Sequence, residues 1–337
     1  MNDTKQLPFI TVCMPVRNEA RFIQDTLIQL LTQDYPKDRY EIIVADGESN
    51  DGTQDIVRNI ARSYPLVKLK NNPKRLSSAG RNIGFKEGKG DVFIIVDGHC
   101  QIPTRKLLKN VVECFEKSEA DCLGRPQPLD PPDISVFQRA VAFARKLWIG
   151  HGGDSLIYSD FEGFVSPKSH GAIYKRHIID TIGYVDETFD ACEDVEFNLR
   201  VAKAGFVTFM SPSIKIKYYP RENLRSLFKQ MFRYGRGRFK LLRKHLDTFS
   251  FNSMVPSIFV IGLIITPIFL ILNIKIGVFI LFFLCAYFIL IISASIYICA
   301  NRGFIYLKYL ILIFFTLHLG LGYGFLLASL ENVLRRR

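Results

Sequence analysis

Polar side chains with a chemical use stand where short apolar runs of this chain end. Asp97 and His99 follow the apolar run at residues 93–96, and their spacing of two places both side chains on one face of an extended strand. A carboxylate and an imidazole can hold a divalent cation such as Mg2+ or Mn2+, which would neutralise a diphosphate. The alternative for an isolated Asp-x-His is a polar turn that ends a strand.

Two further acids, Asp46 and Glu19, stand in similar positions. Asp46 ends the run at residues 40–45, where its carboxylate could accept a hydrogen bond from a base imide or a ribose hydroxyl. The polar residues 49–51 that follow are typical of a turn with helix-capping residues. Glu19 is either a ligand contact or an acid that the helix dipole favours in a first turn.

Three other sets of residues could act on a phosphate or a hydroxyl. Arg81 lies in a predicted helix, where its guanidinium would either pair with phosphate or be solvated. Glu193 and Asp194 begin a helix, which favours acids, and a carboxylate can also take the proton of a hydroxyl nucleophile. Gln230 and Arg233 share one helix face, and Arg233 is either a lipid-facing cation or an electrophilic partner for a departing diphosphate.

Strand and helix patterns alternate through the first part of the chain, and these elements must position the residues above. The strand patterns are at residues 9–16, 40–45, 67–70 and 92–96, and the helical patterns are at residues 20–31, 53–64, 77–87 and, later, 193–204. This alternation predicts an α/β fold, a mostly parallel sheet with helices on both faces. The ligand crevice of such a sheet lies beyond the carboxyl ends of its strands, where Asp46 and Asp97 stand. Residues 148–169, rich in Gly, Ser and Asp, are predicted to form a loop over that rim.

The composition changes at about residue 250 of the 337. Residues 251–330 contain three basic side chains and no acid, and they form apolar stretches at 254–272, 276–299 and 309–330. Each stretch has about 20 residues, enough to cross the hydrocarbon core. We therefore expect a cytoplasmic domain at residues 1–222, an interfacial region at 223–250 and a transmembrane region at 251–337 with two or three spans.

The number of spans is left open by the charged tail. Three crossings from the cytoplasm would place Arg335 and the two arginines after it outside, against the positive-inside tendency. Either the tail is an exception or one stretch is re-entrant. Irregular backbone would be marked by prolines in the first stretch and by glycines with a histidine in the third. The candidates are Pro256, Pro267, His318, Gly320, Gly322 and Gly324.

The net charge of +12 is concentrated next to the apolar region. Residues 221–244 hold nine basic side chains and one acid. A basic cluster next to apolar stretches favours anionic lipid headgroups as the partner, so we expect no binding to nucleic acid. Residues 225–244 predict an amphipathic helix in the plane of the interface, interrupted near Gly235 and Gly237. The start of the chain has no signal-peptide pattern, so we expect a multi-pass protein of the inner (plasma) membrane with its first domain in the cytoplasm. The seven scattered cysteines are expected to be reduced packing residues.

With these residues in view, the chain resembles family 2 glycosyltransferases of the GT-A fold. It is most similar to membrane-bound members that extend lipid-linked saccharides in exopolysaccharide assembly, such as the succinoglycan glucosyltransferases. The resemblance covers residues 10 to about 239. Its motifs, in order, are P-V-R-N-E, A-D-G-E-S-N-D-G-T, A-G-R-N-I-G, V-D-G-H, H-G-A-I-Y-K-R, G-Y-V-D-E-T-F, E-D-V-E and Q-M-F-R-Y-G-R-G.

The resemblance implies a role for each matching position. Pro15, Glu19 and Asp46 would line the nucleoside pocket, while Arg81 and Asp97 would also contact the donor. Asp97 and His99 stand where the family has an Asp-x-Asp metal motif, so His99 lowers the negative charge of that site. Asp194, beside Glu193, would be the general base.

A last motif concerns the helix at residues 225–244. Gln230 and Arg233 form a version of the Gln-x-x-Arg-Trp signature, in which Tyr234 replaces the tryptophan. That replacement keeps an aromatic side chain but weakens any case for a processive polymer synthase.

The expected activity is an inverting transfer of a sugar from a nucleotide diphosphate donor, with UDP as the expected nucleotide, to a hydroxyl of a lipid-linked saccharide. A divalent cation and a polyprenyl diphosphate carrier are implied with it. One alternative is a synthase that places a sugar on a polyprenyl phosphate. Another is a membrane sugar-nucleotide sensor or scaffold, which would have no need of the base at Asp194. Charge alone suggests a nucleic-acid binder.

Overall fold

The computed structural model describes residues 6–151 and 156–335, and its chain divides into two compact units. The first unit is Met1–Pro131 with Leu156–Tyr219, and the second is Pro132–Ser155 with Pro220–Arg337. Three expectations therefore fall partly outside the described residues: those on the first residues of the chain, on residues 152–155 of the expected loop, and on the last two arginines of the tail.

The strands and helices are numbered in chain order. The strands are β1 (Ile10–Val16), β2 (Tyr40–Asp46), β3 (Val67–Asn71), β4 (Val92–Ile95), β5 (Cys100–Gln101), β6 (Cys122–Gly124), β7 (Gly163–Val165), β8 (Gly171–Lys175), β9 (Thr208–Met210) and β10 (Lys217–Tyr218). The helices are α1 (Ile23–Leu31), α2 (Thr53–Ser63), α3 (Ser77–Glu87), α4 (Leu107–Ser118), α5 (Val136–Lys146), α6 (Trp148–His151), α7 (Pro167–His170), α8 (Arg176–Ile182), α9 (Glu193–Lys203), α10 (Leu224–Lys244), α11 (Phe251–Leu272), α12 (Ile274–Arg302) and α13 (Leu307–Leu334).

The first unit is built on an eight-stranded sheet of order β3-β2-β1-β4-β8-β6-β9-β7. Strands β3, β2, β1 and β4 are parallel, β8 runs antiparallel to β4 and β6, and β7 is antiparallel to β9. A small second sheet pairs β10 with β5. The predicted fold class, a mostly parallel sheet with flanking helices, is confirmed. The expectation of a loop at residues 148–169 is wrong where α6, β7 and α7 form, because β7 can pair with β9 at the edge of the sheet.

The central strands are buried on both faces, so their apolar residues run almost without a break. Every residue of β2 is buried, including the carboxylate of Glu41. Glu41 accepts hydrogen bonds from Lys68 at 2.6 Å, from the Thr11 hydroxyl at 2.9 Å and from the Lys89 backbone amide at 2.6 Å. Burial disfavours the charged form of Glu41, but these donors outweigh it and lower the pKa of the carboxyl.

The second unit consists of helices, and three of them are long and apolar enough to cross a membrane: α11, α12 and α13. The interruption expected near Gly235 is wrong, because α10 is one continuous helix. A Cβ added at Gly235 would lie 2.1 Å from the Leu321 carbonyl oxygen, so this glycine lets α10 pack closely on α13. The candidates for irregular backbone, Pro256 and Pro267 in the first stretch and the glycines of the third, lie in regular helix, since α11 and α13 are continuous over the described residues.

We predict that Glu41→Gln destabilises the first unit. The change removes a charge that has three donors and leaves them poorly satisfied, which costs about 1–3 kcal/mol of the free energy of unfolding. Thermal unfolding measures it. The matched control is Glu87→Gln, which removes an exposed ion pair with the neighbouring Lys70 and should change the melting temperature little.

The pH dependence follows from the lowered pKa of Glu41. Its contribution is complete above the pKa of the unfolded chain and is lost as the pH falls through the folded pKa. The difference between wild type and Glu41→Gln should therefore shrink in acid. Equal melting temperatures for wild type and Glu41→Gln at neutral pH would contradict the stabilising role of the Glu41 carboxylate.

Candidate active site

Arg81 is the residue around which the candidate site of the first unit is arranged. It lies in the first turns of α3, and its Nη2 is 3.3 Å from Glu193 Oε1 at the start of α9. The side chain of Arg81 is 14% exposed and that of Glu193 is 8% exposed, so the alternative of a solvated helix face is wrong. Burial opposes the charge of Arg81, but Glu193, Asp194 and Asp97 outweigh it and raise the pKa of the guanidinium. The acids that the sequence placed on separate elements therefore share one cation.

Close packing of α3 on β1 brings Arg81 to this position. A Cβ added at Gly80 would lie 2.7 Å from the Cβ of Pro15, so a larger residue would push the helix away from the strand. Pro15 is thus in contact with α3, and its expected place in a nucleoside pocket stays a prediction.

Glu193 and Asp194 are neighbours in sequence with opposite environments. Glu193 is 6% exposed; its burial and the negative charge of Asp194 raise the pKa of its carboxyl, against the lowering effect of Arg81. Asp194 is exposed, and its Oδ1 accepts a hydrogen bond from the Val195 amide at 2.9 Å. Glu193 is therefore suited to anchoring the start of α9, and Asp194 is the acid that a reactant can approach.

The structure brings Glu19 and His99 together. His99 Nδ1 lies 2.8 Å from Glu19 Oε1, so the ring nitrogen donates to the carboxylate and Nε2 can be the accepting nitrogen. Gly98 makes this contact possible, because a Cβ there would lie 2.9 Å from the Glu19 Cγ. The Thr26 hydroxyl lies 2.8 Å from the Gly98 carbonyl oxygen and fixes the turn after β4.

Asp46 is fully buried at the end of β2 and has partners within the chain. Its Oδ1 accepts from the Ser49 amide at 2.9 Å and from Gln54 Nε2 at 2.6 Å, and its Oδ2 accepts from the Ser49 hydroxyl at 2.5 Å. The loop after β2 is therefore braced by this carboxylate. A contact with a base or a ribose is compatible with the remaining lone pairs of Oδ2 and stays a prediction.

Two further residues border the site, and the sequence analysis missed both. Arg125 follows β6, is 2% exposed, and donates to the Ile95 carbonyl at 2.6 Å and to the Tyr218 hydroxyl at 2.8 Å. Tyr218 also packs edge-on against the ring of His99, with 6.1 Å between the ring centroids. Nε and Nη1 of Arg125 have no hydrogen-bond acceptor among the described residues. A buried guanidinium with unused donors is typical of a position that a ligand completes. The available signal was an Arg directly after a short apolar run, the same kind of position as Asp97.

Gln230 and Arg233 lie on α10, in the second unit. Gln230 Nε2 donates to the Tyr234 hydroxyl at 3.4 Å, and Arg233 is exposed. Their predicted role beside a departing diphosphate stays a prediction.

A divalent cation would find an incomplete set of ligands in the chain itself. Within residues 6–151 and 156–335, no group of three or more His, Cys, Asp and Glu side chains is placed to hold a metal. Asp97 and His99 Nε2 are suitable donors, with Glu19 orienting the ring of His99. Cations that act on nucleotides often use one or two carboxylates and take their other ligands from phosphate and water, and the residues present fit that arrangement.

Comparison with known proteins gives consistent matches along the chain. Residues 11–183 match the model described as "Glycosyl transferase family 2", and residues 135–327 match the model described as "Glycosyl transferase family group 2". A Methanococcus voltae protein is 31% identical over 76% of this chain and 83% of its own length. It is named dolichyl N-acetyl-alpha-D-glucosaminyl phosphate 3-beta-D-2,3-diacetamido-2,3-dideoxy-beta-D-glucuronosyltransferase.

Two more proteins are similar to this chain. The succinoglycan biosynthesis protein ExoA of Rhizobium meliloti is 34% identical over 73% of each chain. Among solved structures, the mannosyltransferase PcManGT from Pyrobaculum calidifontis, in complex with GDP-Man and Mn2+, superposes with a TM-score of 0.59. That match covers 99% of this chain and 89% of the other at 18% identity, which supports the fold alone.

We predict that Arg81→Met destabilises the first unit in a pH-dependent way. Without its cation Glu193 is a buried acid next to Asp194, so its already raised pKa rises further. A raised folded pKa means that stability is retained at low pH and lost as the pH rises through that pKa. The melting temperature of the variant should fall further below wild type at about pH 8 than at about pH 5, approaching the loss of about 3–5 kcal/mol typical of a broken buried pair.

Arg58→Met is the control for that experiment, because Arg58 pairs with Asp55 on the exposed face of α2. It should show no such pH dependence. A deficit for Arg81→Met that is the same at both pH values would contradict the pairing with Glu193.

Proposed function

Because the chain belongs to glycosyl transferase family 2, we propose that it is an inverting enzyme that moves a sugar from a nucleotide diphosphate donor to a hydroxyl of a lipid-linked saccharide. The observation that carries this proposal is the convergence of Arg81, Asp97 and Glu193 at the carboxyl ends of the parallel strands, with the exposed Asp194 beside them. UDP is the proposed nucleotide, as the sequence resemblance implies.

On the donor side, Asp97 and His99 would hold a divalent cation, which would offset the negative charge of the diphosphate. Glu19 would fix the orientation of the His99 ring through its contact with Nδ1. On the same side, the unused N–H groups of Arg125 can donate hydrogen bonds to an oxygen of the nucleotide sugar. Gln230 and Arg233 are proposed to assist the departure of the diphosphate. Arg81 is paired with Glu193, and its Nε has no hydrogen-bond acceptor among the described residues, so Arg81 is proposed to contact the nucleotide sugar as well.

On the acceptor side, Asp194 is proposed as the base. As the acceptor oxygen forms its bond to the anomeric carbon, its proton passes to the Asp194 carboxylate. The bond from the anomeric carbon to the diphosphate oxygen breaks, and the diphosphate leaves with the electron pair. Attack from the face opposite the leaving group inverts the anomeric centre. Glu193, held by Arg81, fixes the first turn of α9 and with it the position of Asp194.

The acceptor is proposed to be lipid-linked because the site is followed in the chain by a basic helix and by helices apolar enough to cross a membrane. The names of the two relatives also refer to a dolichyl N-acetyl-alpha-D-glucosaminyl phosphate and to succinoglycan biosynthesis. A multi-pass location in the inner membrane with the catalytic domain in the cytoplasm belongs to the same proposal.

We predict that Asp194→Asn lowers turnover by about 10²–10⁴-fold, because loss of a general base typically costs that much. Donor affinity, measured by calorimetric titration with the nucleotide diphosphate, should not change. The control is Asp180→Asn, an exposed acid on α8, which should leave turnover as in wild type. Unchanged turnover in Asp194→Asn, with donor binding intact, would overturn the assignment of the base.

The function itself is tested by incubating the purified full-length enzyme with UDP-sugars and GDP-sugars and measuring the nucleotide diphosphate released. We expect release with a UDP-sugar, and only when a polyprenyl diphosphate saccharide is present. EDTA should suppress it. Transfer to a polyprenyl phosphate without a sugar would instead support a polyprenyl-phosphate sugar synthase, and no transfer with any donor and acceptor would contradict the proposal.

A further inference from the structure

We propose that α13 does not cross the bilayer, although its length and composition would allow it. In this proposal α5, α10 and α13 form a platform that lies on the anionic surface of the membrane. Only the hairpin of α11 and α12 enters the hydrocarbon core. The inference rests on the membrane association proposed above and uses contacts within the second unit alone.

The first observation is that α10 and α13 run side by side in the same direction. The residue numbers of the contacting pairs increase along both helices. The pairs are Met231 with Gly320, Gly235 with Leu321, Phe239 with Phe325, and Arg243 with Asn332. The first and last of these contacts are twelve residues apart in each helix, about 18 Å at a helical rise of about 1.5 Å per residue. The bidentate ion pair of Arg236 with Glu331, at 2.9 and 2.8 Å, belongs to the same seam.

The second observation is the charge of α10. Between Leu224 and Lys244 it carries eight basic side chains and no acid, and they are spread from one end of the helix to the other. Each such residue is strongly unfavourable at the centre of a membrane helix. A helix of this composition does not span. Because α13 shares its direction and is packed against it through glycine contacts, α13 cannot stand along the membrane normal while α10 lies in the plane.

The third observation is that the rest of α13 is also covered by charged or polar parts of the unit. Phe137 of α5 packs edge-on against Tyr309 of α13, and Phe143 of α5 packs edge-on against Tyr306, the residue just before α13. Four of the eleven residues of α5 have charged or amide side chains. In the middle of α13, His318 Nε2 is 2.9 Å from the carbonyl oxygen of Ile149 in α6. Half of the most apolar stretch of α13 is buried in the protein, against 28% for α11 and 17% for α12.

The α11–α12 hairpin has the opposite character. The two helices are joined by Asn273 alone and pack antiparallel, with Phe259 against Tyr287 and Gly262 against Leu284. Contacts with α13 are in the half of the hairpin away from its tip, such as Gly322 beside the Pro256 carbonyl and Phe315 against Phe288. Toward the tip the apolar side chains are exposed; they include Ile264, Ile268, Ile271, Leu272, Phe279, Phe282 and Phe283. Lipid chains are the solvent that this surface fits.

Two spans return the chain to the side from which it entered. Arg335 and the tail then stay on the side of α10, so the positive-inside tendency is satisfied and the sequence needs neither an exceptional tail nor a re-entrant stretch.

The topology is tested by placing a single new cysteine in the full-length protein in membrane vesicles of known orientation. The variants are Leu246→Cys after α10, Lys275→Cys at the hairpin tip and Arg335→Cys after α13, all at exposed positions. A membrane-impermeant maleimide should label Arg335→Cys from the same side as Leu246→Cys and should label Lys275→Cys from the opposite side. Labelling of Arg335→Cys from the side of Lys275→Cys would overturn the proposal. The parent chain is the background control, since six of its seven thiols are buried.

A second measurement needs no substitution, because Trp148 is the only tryptophan of the chain. It is 61% exposed and adjoins Ile149, which His318 contacts in the middle of α13. If α13 lies in the plane, lipids brominated near the headgroup should quench the fluorescence of Trp148 more than lipids brominated deep in the acyl chains. Stronger quenching by the deep bromines would overturn the proposal.

Flotation of the unmodified protein with lipid vesicles separates the possible failures. Protein that does not float lacks the membrane association on which the inference rests, and the inference then fails with it. Protein that floats but carries its tail on the side of the hairpin tip contradicts only the placement of α13. Sugar transfer is measured independently of both.

Discussion

The candidate site depends on one buried cation. Arg81 is held in place by the close packing of α3 on β1. It offsets the negative charge of Asp97, after β4, and of the two acids at the start of α9. Without it, Glu193 would be a buried acid next to Asp194, and the two carboxylates in the first turn of α9 would repel each other. The exposed carboxylate of Asp194 follows Glu193 directly in α9, so the pairing of Glu193 with Arg81 also positions Asp194.

Much of this could be predicted from local sequence patterns, because a strand end or a helix start is visible in a few consecutive residues. The predicted bounds of α3 agree with the structure, and Asp46, Asp97 and Glu193 stand at the predicted element ends. What could not be predicted depends on chain segments far apart in sequence. The Glu19 contact with His99 joins residues separated by 80 positions, and the burial of Arg81 depends on a helix that begins more than a hundred residues later. Arg125 was missed because β6 has only three residues, too few for a periodic pattern.

The second unit shows the limit of composition in the same way. Hydropathy identified three apolar stretches, but it reports how well a helix tolerates lipid and not whether lipid surrounds it. The glycines of α10 and α13 suggested irregular backbone in the sequence, whereas in the structure they are the contact surface between two regular helices. The role of Gly235 can be recognised only once its partner, Leu321, is known.

The short turn at Asn273 gives the hairpin a fixed reach. If α11 and α12 are the only membrane-spanning segments, α11 with its 22 residues extends about 33 Å from base to tip, close to the thickness of one hydrocarbon core. A thicker bilayer would draw the base of the hairpin inward and a thinner one would make it tilt, at a modest cost per ångström of mismatch. Bilayer thickness would then influence which membranes of a cell retain the protein.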